Sequence, residues 1–289
     1  MKNLLLITLI FFSYNQLLSQ EEPETKKNWT TNGTISFIFN QSAFDNWIAG
    51  GENNLAGNLA LNYNFNYLKD GLNWDNKIIA SYGLTKSKNS AFEKKTDDRI
   101  VFNSILGIKA ENLWFYSAFL NFDTQFTTGY KYSKDENGKE IRTEFTDFMS
   151  PANLSFGLGM LWKKSDNLKV NLAPATAKLI LVDKSFTLPN GDYYGVEEGK
   201  STRFELGFNA SVYAKFNIME NVSMENILNL YADYLEKPQN IDLDYTMNVI
   251  MKINKYLSTN LTFQTIYNDN AFKGFQIREV FGIGINYGF

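Results

Sequence analysis

Residues 54–67 read NLAGNLALNYNFNY, and residues 73–85 read NWDNKIIASYGLT. In the first run the odd positions are Leu55, Gly57, Leu59, Leu61, Tyr63, Phe65 and Tyr67, and asparagine or alanine fills every even position. Successive side chains on a strand point to opposite faces, so this is one apolar face and one amide face. Lys69-Asp70-Gly71 is a short turn signal, after which the apolar set moves to even positions: Leu72, Trp74, Ile78, Ala80, Tyr82 and Leu84. Each run lasts about fourteen residues, against about five or six for an ordinary strand. A tilted strand that crosses a bilayer needs about 9–11 residues plus rim extensions. The hairpin therefore reads as two staves of a transmembrane β-barrel, apolar outside and polar inside.

Extending the same alternation along the chain predicts an all-β, up-and-down antiparallel barrel of about twelve strands. They are expected at 31–40, 53–68, 72–85, 99–110, 114–127, 153–163, 168–182, 202–218, 222–234, 242–253, 257–267 and 276–289. The strand at 168–182 is the weakest. Pro174 interrupts it, and strict alternation sets Lys178 on the apolar face with Val170, Leu172 and Ile180. The connections alternate short and long: 69–71, 111–113, 164–167, 219–221 and 254–256 against 41–52, 86–98, 128–152, 183–201 and 268–275, with 235–241 intermediate. Short periplasmic turns and longer outer loops are the habit of outer-membrane barrels, and an even strand number leaves both termini periplasmic.

Aromatic residues fall into two rows. Tyr67, Trp74, Trp114, Trp162, Phe216, Tyr287 and Phe289 lie beside short turns, and Tyr82, Phe126, Phe204, Tyr234, Tyr245 and Tyr267 lie near the long loops. Rings with one polar edge collect at membrane–water interfaces, so these are two girdles facing membrane lipid.

The 289-residue chain carries a net charge of −3, with no Cys and no His. Both signs are spread along it, so no basic surface for nucleic acid is present. Without Cys there are no disulfides, no thiol chemistry and no lipidated cysteine. Without His, a Ser-His-Asp arrangement is excluded and the commonest metal ligand is missing. No motif marks an enzyme or a cofactor site. Residues 1–20 read as a secretory signal peptide, with Lys2 ahead of the apolar run 4–12, and 21–28 as a disordered, charged leader; 29–289 is then one barrel domain.

By parity the lumen receives Asp75, Lys77, Arg99, Lys109, Asp123, Arg203, Glu205, Lys215, Glu225, Asp233, Asp244, Lys252 and Arg278. Seven are basic and six acidic, so no field of one sign develops. Across the turn at 219–221, Lys215 faces Glu225, and the two are expected to pair. The loop 41–53 combines Trp47 with Gly50 and Gly51; it is a candidate for outer-loop interaction, although paired glycines more often serve a tight turn. Lys94, Lys95, Asp97 and Asp98 read as a solvated loop tip rather than a calcium site.

Several runs resemble a family of Bacteroidota outer-membrane barrels of unknown function: QSAFDNWIAGGEN at 41–53, KTDD at 95–98, TQFTTGY at 124–130, FMSPA at 148–152 and APATAK at 173–178. The resemblance implies fold and location, and no activity. The final run, with Tyr287 two residues before Phe289, also resembles the C-terminal signal read by the outer-membrane barrel assembly machinery. The functional expectation is an accessory or structural subunit beside other envelope proteins. The alternative is a narrow, weakly selective channel for small solutes, because twelve strands lie between a filled barrel and an open porin.

Overall fold

The structure, a computed structural model, describes residues 28–45, 52–188 and 193–289. The expected signal peptide and leader (apart from residue 28), and the loop residues Trp47, Gly50 and Gly51, lie outside the described residues.

Among the described residues there are fourteen strands: β1 (Trp29–Ser42), β2 (Asn54–Lys69), β3 (Leu72–Ser87), β4 (Lys94–Lys109), β5 (Trp114–Thr124), β6 (Gly129–Lys134), β7 (Glu140–Thr146), β8 (Ala152–Ser165), β9 (Leu168–Leu181), β10 (Thr202–Met219), β11 (Val222–Asp233), β12 (Asp242–Lys252), β13 (Leu257–Asn268) and β14 (Phe272–Gly288). Twelve of them close into an antiparallel barrel, each paired with its sequence neighbour except where β5 pairs with β8 and β14 returns to β1. The remaining two, β6 and β7, form a separate hairpin inserted between β5 and β8. The twelve-strand barrel is the one read from the alternation; the inserted hairpin is an addition to it. Among the described residues no helix is long and apolar enough to cross a membrane; the crossing elements are strands.

At one end, here the turn end, connections take two to four residues. One of the three two-residue connections follows its sequence directly: Asp70 and Gly71 both have positive φ, 48° and 84°, as a type I′ hairpin turn demands. At the other end, the loop end, the strands run further than alternation indicated. β3 and β4 extend to Ser87 and Lys94, so Lys94, Lys95, Asp97 and Asp98 belong to a paired strand rather than a loop tip. β14 begins at Phe272, not near 276, leaving only 269–271 as connection. These extensions are polar or irregular, so backbone pairing alone marks them.

β9 is continuous, and Pro174 marks a bulge. Between Leu172 and Ala175 it spends three residues where β8 spends two, and it does the same opposite β10. The extra residue reverses the parity of the rest of the strand. Lys178, outward on strict alternation, therefore lies opposite Ser155 and Glu205 on the inner wall. Gly159 of β8 leaves the space into which the Leu172 carbonyl fits, so the bulge and this glycine go together.

The outer face is apolar. Phe37, Leu59, Phe156, Leu158, Phe281, Ile283 and Ile277 are all exposed, Ile277 to 69%. A belt of this extent is tolerable only against lipid. At the turn end Tyr67 and Trp74 pack with tilted rings against Trp29, and Trp114 is opposite Trp162 in register. Phe289 joins the row by stacking on Tyr63 and Tyr287. Its backbone exchanges two hydrogen bonds with Gly33, and a Cβ on Gly33 would stand 2.5 Å from its ring, so glycine there makes the hollow in which the ring rests. At the loop end Tyr82, Phe204, Tyr245 and Tyr267 are strand residues, whereas Phe126 and Tyr234 fall just past the ends of β5 and β11.

Candidate functional site

The lumen is built by the inward half of each strand's alternation, and its charged groups are paired across it. Glu225 of β11 is bonded at 2.6 Å by Lys77 of β3, six strands away around the ring of twelve. Arg99 of β4 meets Asp244 of β12 at 3.1 Å, again six strands apart. Both pairs therefore span the barrel from wall to opposite wall. Arg278 of β14 reaches Asp97 of β4 at 2.6 Å, and Asn58 donates to the same carboxylate. These are rigid struts, because each carboxylate takes further donors: Tyr213, Asn62 and Asn248 on Glu225, and Gln264 on Asp244. Buried charges demand such partners.

Two denser clusters occupy the sides. Near the turn end Asp75, only 4% exposed, accepts from Lys163 at 2.9 Å and Lys169 at 2.8 Å. Lys163 also bonds Asn73, and the ammoniums of Lys77 and Lys169 both lie over the ring of Tyr213. Toward the loop end Glu205, 1% exposed, takes Arg203 at 2.7 Å and Lys178 at 3.3 Å, and Lys178 continues to Asp242. Arg203 further contacts Asp233, Glu236 and the carbonyl of Gly195.

Ten of the thirteen residues placed in the lumen by parity are thus lumen residues bonded into its wall: Asp75, Lys77, Arg99, Arg203, Glu205, Glu225, Asp233, Asp244 and Arg278, with Asp123 held by Asn153. Three differ from expectation. Lys109 and Lys252 keep the inward parity but end their strands at the rim, where both are exposed. Lys215 does stand opposite Glu225 in register, yet it forms no ion pair among the described residues. Glu225 turns across the lumen to Lys77 instead, since a side chain pointing into a narrow lumen meets the opposite wall more readily than its own neighbour. Reading the sequence missed Lys163, Lys169, Lys178, Asp97 and Asp242. The first two sit near a strand end with apolar neighbours, and Lys178 lies beyond the bulge.

A cavity of about 760 Å³ remains. Its wall runs from Asn32, Lys215 and Ser223 near the turn end to Thr96, Thr146 and Tyr194 at the loop end. Phe119 and Tyr231 intrude on it, both largely buried. Among the described residues no group of His, Cys, Asp and Glu side chains is arranged to hold a metal ion.

The loop end carries its own packing. Ile180, Val182, Tyr193 and Val196 form a small buried core, joined by Phe145, Phe186 and Tyr194. The β6–β7 hairpin is fastened to the 88–93 connection on its other side. Glu140 accepts from Lys94 at 2.6 Å, from the backbone N–H of Ala91 and from Ser90, and Arg142 stacks on Phe92 and Tyr130. The Lys94 ammonium, followed by those two donors, holds the Glu140 carboxyl at about 2, well below the usual range. Asp98 ties the insertion to β4 by accepting from the N–H groups of Phe126 and Thr127.

A family described as a protein of unknown function (DUF3078) matches residues 39–130. No curated protein matches the chain significantly. Among solved structures, the translocator domain of the autotransporter NalP from Neisseria meningitidis aligns over 99% of this chain and 97% of its own at 9% identity, TM-score 0.39. The COG4313 outer membrane channel from Pseudomonas putida F1 aligns over 92% and 99% at 9% identity, TM-score 0.39. At such scores neither likeness assigns a function to this chain.

Proposed function

We propose that the protein is a non-enzymatic outer-membrane barrel that lets small solutes pass passively through a narrow, strutted lumen. The observation that carries this reading is the cavity of about 760 Å³ that runs from Lys215 and Ser223 to the loop end, crossed by the Arg99–Asp244 pair and bounded toward the turn end by Glu225 with its partner Lys77. A filled barrel would leave no such space, and an open porin would not be bridged from wall to wall. In this reading the chain is exported by its signal peptide and both termini are periplasmic. The assembly machinery reads Tyr287 and Phe289 at the last strand.

A second reading, an accessory subunit that docks other envelope proteins, draws on the built loop end, where an ordered hairpin and a small core rise beyond the barrel. Planar bilayers separate the two. Purified protein should give a small conductance with a reversal potential near zero in a salt gradient, because basic and acidic side chains nearly balance along the wall. A silent bilayer, with the same fold intact by heat-modifiable gel mobility, would favour the accessory role. A large porin-like conductance would contradict the struts.

A further inference from the structure

β14 outruns the strand that closes the barrel on it. β1 pairs with β2 along its whole length, from Trp29 to Ser42, but with β14 only between Thr34↔Gly288 and Phe39↔Ile283. Continued past Phe39, the same register would set Gln41 against Phe281, Ala43 against Glu279 and Asp45 against Ile277. None of these pairs forms. Gln41 and Ser42 stay with Leu55 and Asn54, and the N–H of Phe44 donates to the Asn53 side chain at 2.6 Å. β14 meanwhile continues to Phe272, paired on its other side with β13.

The phase of the hydrogen bonds identifies the groups left over. Gly33 and Phe289 exchange two backbone hydrogen bonds, and in an antiparallel pair every second residue faces the same neighbour. The odd residues of β14 therefore turn N–H and C=O toward β1. The even ones turn toward β13, as the bond from the Asn286 N–H to the Tyr256 carbonyl shows. Beyond Ile283 the odd residues are Phe281, Glu279 and Ile277, whose backbone groups have no backbone partner among the described residues.

The same residues carry outward side chains. Phe281 and Ile277 are exposed and apolar, with Phe275 next in the row. Glu279, between them, is exposed and has no ion partner among the described residues. Water serves the backbone groups and the carboxylate but leaves the apolar side chains uncovered. Lipid covers those side chains but leaves the backbone groups unmet. An added peptide strand meets all of them at once.

We propose that the loop-end half of β14, at 277–281, is a docking edge for an extended segment of another envelope protein, one whose apolar residues alternate and which presents a lysine or arginine to Glu279. A second copy of this chain fits less well, because β14 against β14 brings two Glu279 carboxylates onto one face. This edge is separate from the loop-end hairpin and core, and it stands whether or not the lumen conducts.

The test uses the full-length folded barrel in detergent and a fluorescent ten-residue peptide in which valine alternates with threonine and the central valine is replaced by lysine. A second peptide has glutamate there. The lysine peptide should bind about fivefold more tightly, the difference between an opposite and a like charge across a strand pair, and Glu279→Lys should reverse the order. Ile277→Pro should abolish binding of both, because it removes an N–H of the free edge and leaves the β13 ladder intact; heat-modifiable mobility verifies that the variant is folded. Equal binding of the two peptides, or an order that Glu279→Lys does not reverse, would overturn the partner chemistry. Binding untouched by Ile277→Pro would overturn the edge as its site. No binding of either peptide would mean that lipid or water covers the edge, and would leave the hairpin as the surface for an accessory role. The chain has no Cys, so Ile277→Cys reports on a second copy. It should stay monomeric under oxidation, and a disulfide-linked dimer would overturn the proposal by giving the edge to another copy of this chain.

Discussion

At the turn end the barrel is closed by elements that neighbour one another in sequence; at the loop end it is closed by elements that do not. The connections 70–71, 166–167 and 220–221 simply reverse the chain, and the aromatic row beside them is held by strand pairing and lipid. Beneath that row Asp75 concentrates two lysines from β8 and β9. The loop end instead carries a hairpin of its own, a core around Tyr193, and a carboxylate, Glu140, that fixes the hairpin to a connection fifty residues earlier. The turn end is thus part of the barrel's cooperative unit, while the loop end is a layer placed on it. Such a layer can loosen without opening the barrel.

The largest effect should come from the turn end. Asp75→Ala leaves Lys169 as an enclosed ammonium without its acid and Lys163 with only the exposed Asp166, close to the situation in which a broken buried pair costs about 3–5 kcal/mol. The folded band on unboiled gels should convert at a distinctly lower temperature than in the wild type. An unchanged conversion temperature would mean that the lysines find water, and that this end is wetter than its burial implies.

Next in size is a change in the struts. Glu225→Gln keeps the shape of the side chain and removes its charge, leaving Lys77 without an acid toward the turn end, on the level of the already unpaired Lys215. In a salt gradient the reversal potential should move from near zero toward the anion value, because an excess of one sign now faces the path. Asp244→Asn, which frees Arg99 at the other strut, should move it the same way. A shift toward cations would show that the conducting path does not pass these struts.

These contrasts also explain what could be read from the chain alone. In β2 and β10 each face is chemically uniform, so Leu59 against Asn58, or Phe204 against Glu205, assigns inside and outside without any structure. That made the barrel, its turns and most of its lumen charges legible. Pairing across the lumen was not, because strand register says who is adjacent on one wall and nothing about who faces whom across it. Lys215 with Glu225 is the instructive case: the register was right and the ion partner was six strands away. Lys178 was lost to one bulge. The β6–β7 hairpin was missed because its residues, from Gly129 to Thr146, are too polar to alternate; it is held by stacking of Arg142, by Glu140 and by the single ring of Phe145 against Tyr193 rather than by an alternating apolar face.

A mid-sized local effect belongs to the loop end. Tyr193 packs against Phe145, Phe186 and Tyr194 with ring centroids 5.6, 5.5 and 4.7 Å away. Replacing a buried aromatic by alanine costs about 3–5 kcal/mol where the surroundings do not collapse. Here that loss should fall on the layer. Tyr193→Ala should make the loops at 125–151 and 193–201 sensitive to protease added to intact cells, with the conversion temperature of the barrel unmoved. A parallel drop in that temperature would abolish the distinction between layer and barrel.

The smallest effect is a pH dependence confined to the hairpin. The Glu140 carboxyl stands at about 2 in the folded protein, against an ordinary value of 4.5. A carboxyl depressed by folding contributes stability above its unfolded value and loses it as the pH falls through the folded one. Docking of the hairpin should therefore be constant from neutrality down to about pH 5, weaken below about 4.5, and be largely gone near 2. The pair with Lys94 is at the surface and open to salt, so the contribution is modest. Pepsin, which acts across this range, supplies the readout: cleavage within 129–146 should rise between pH 4.5 and 2 more steeply in the wild type than in Glu140→Gln, which has no proton to take up. Salt at neutral pH should mimic part of the change by screening Lys94 from Glu140. If wild type and variant are cut alike at every pH, the hairpin is held by the stacking of Arg142 on Phe92 and Tyr130 and by Phe145 on Tyr193, and the carboxylate only decorates it.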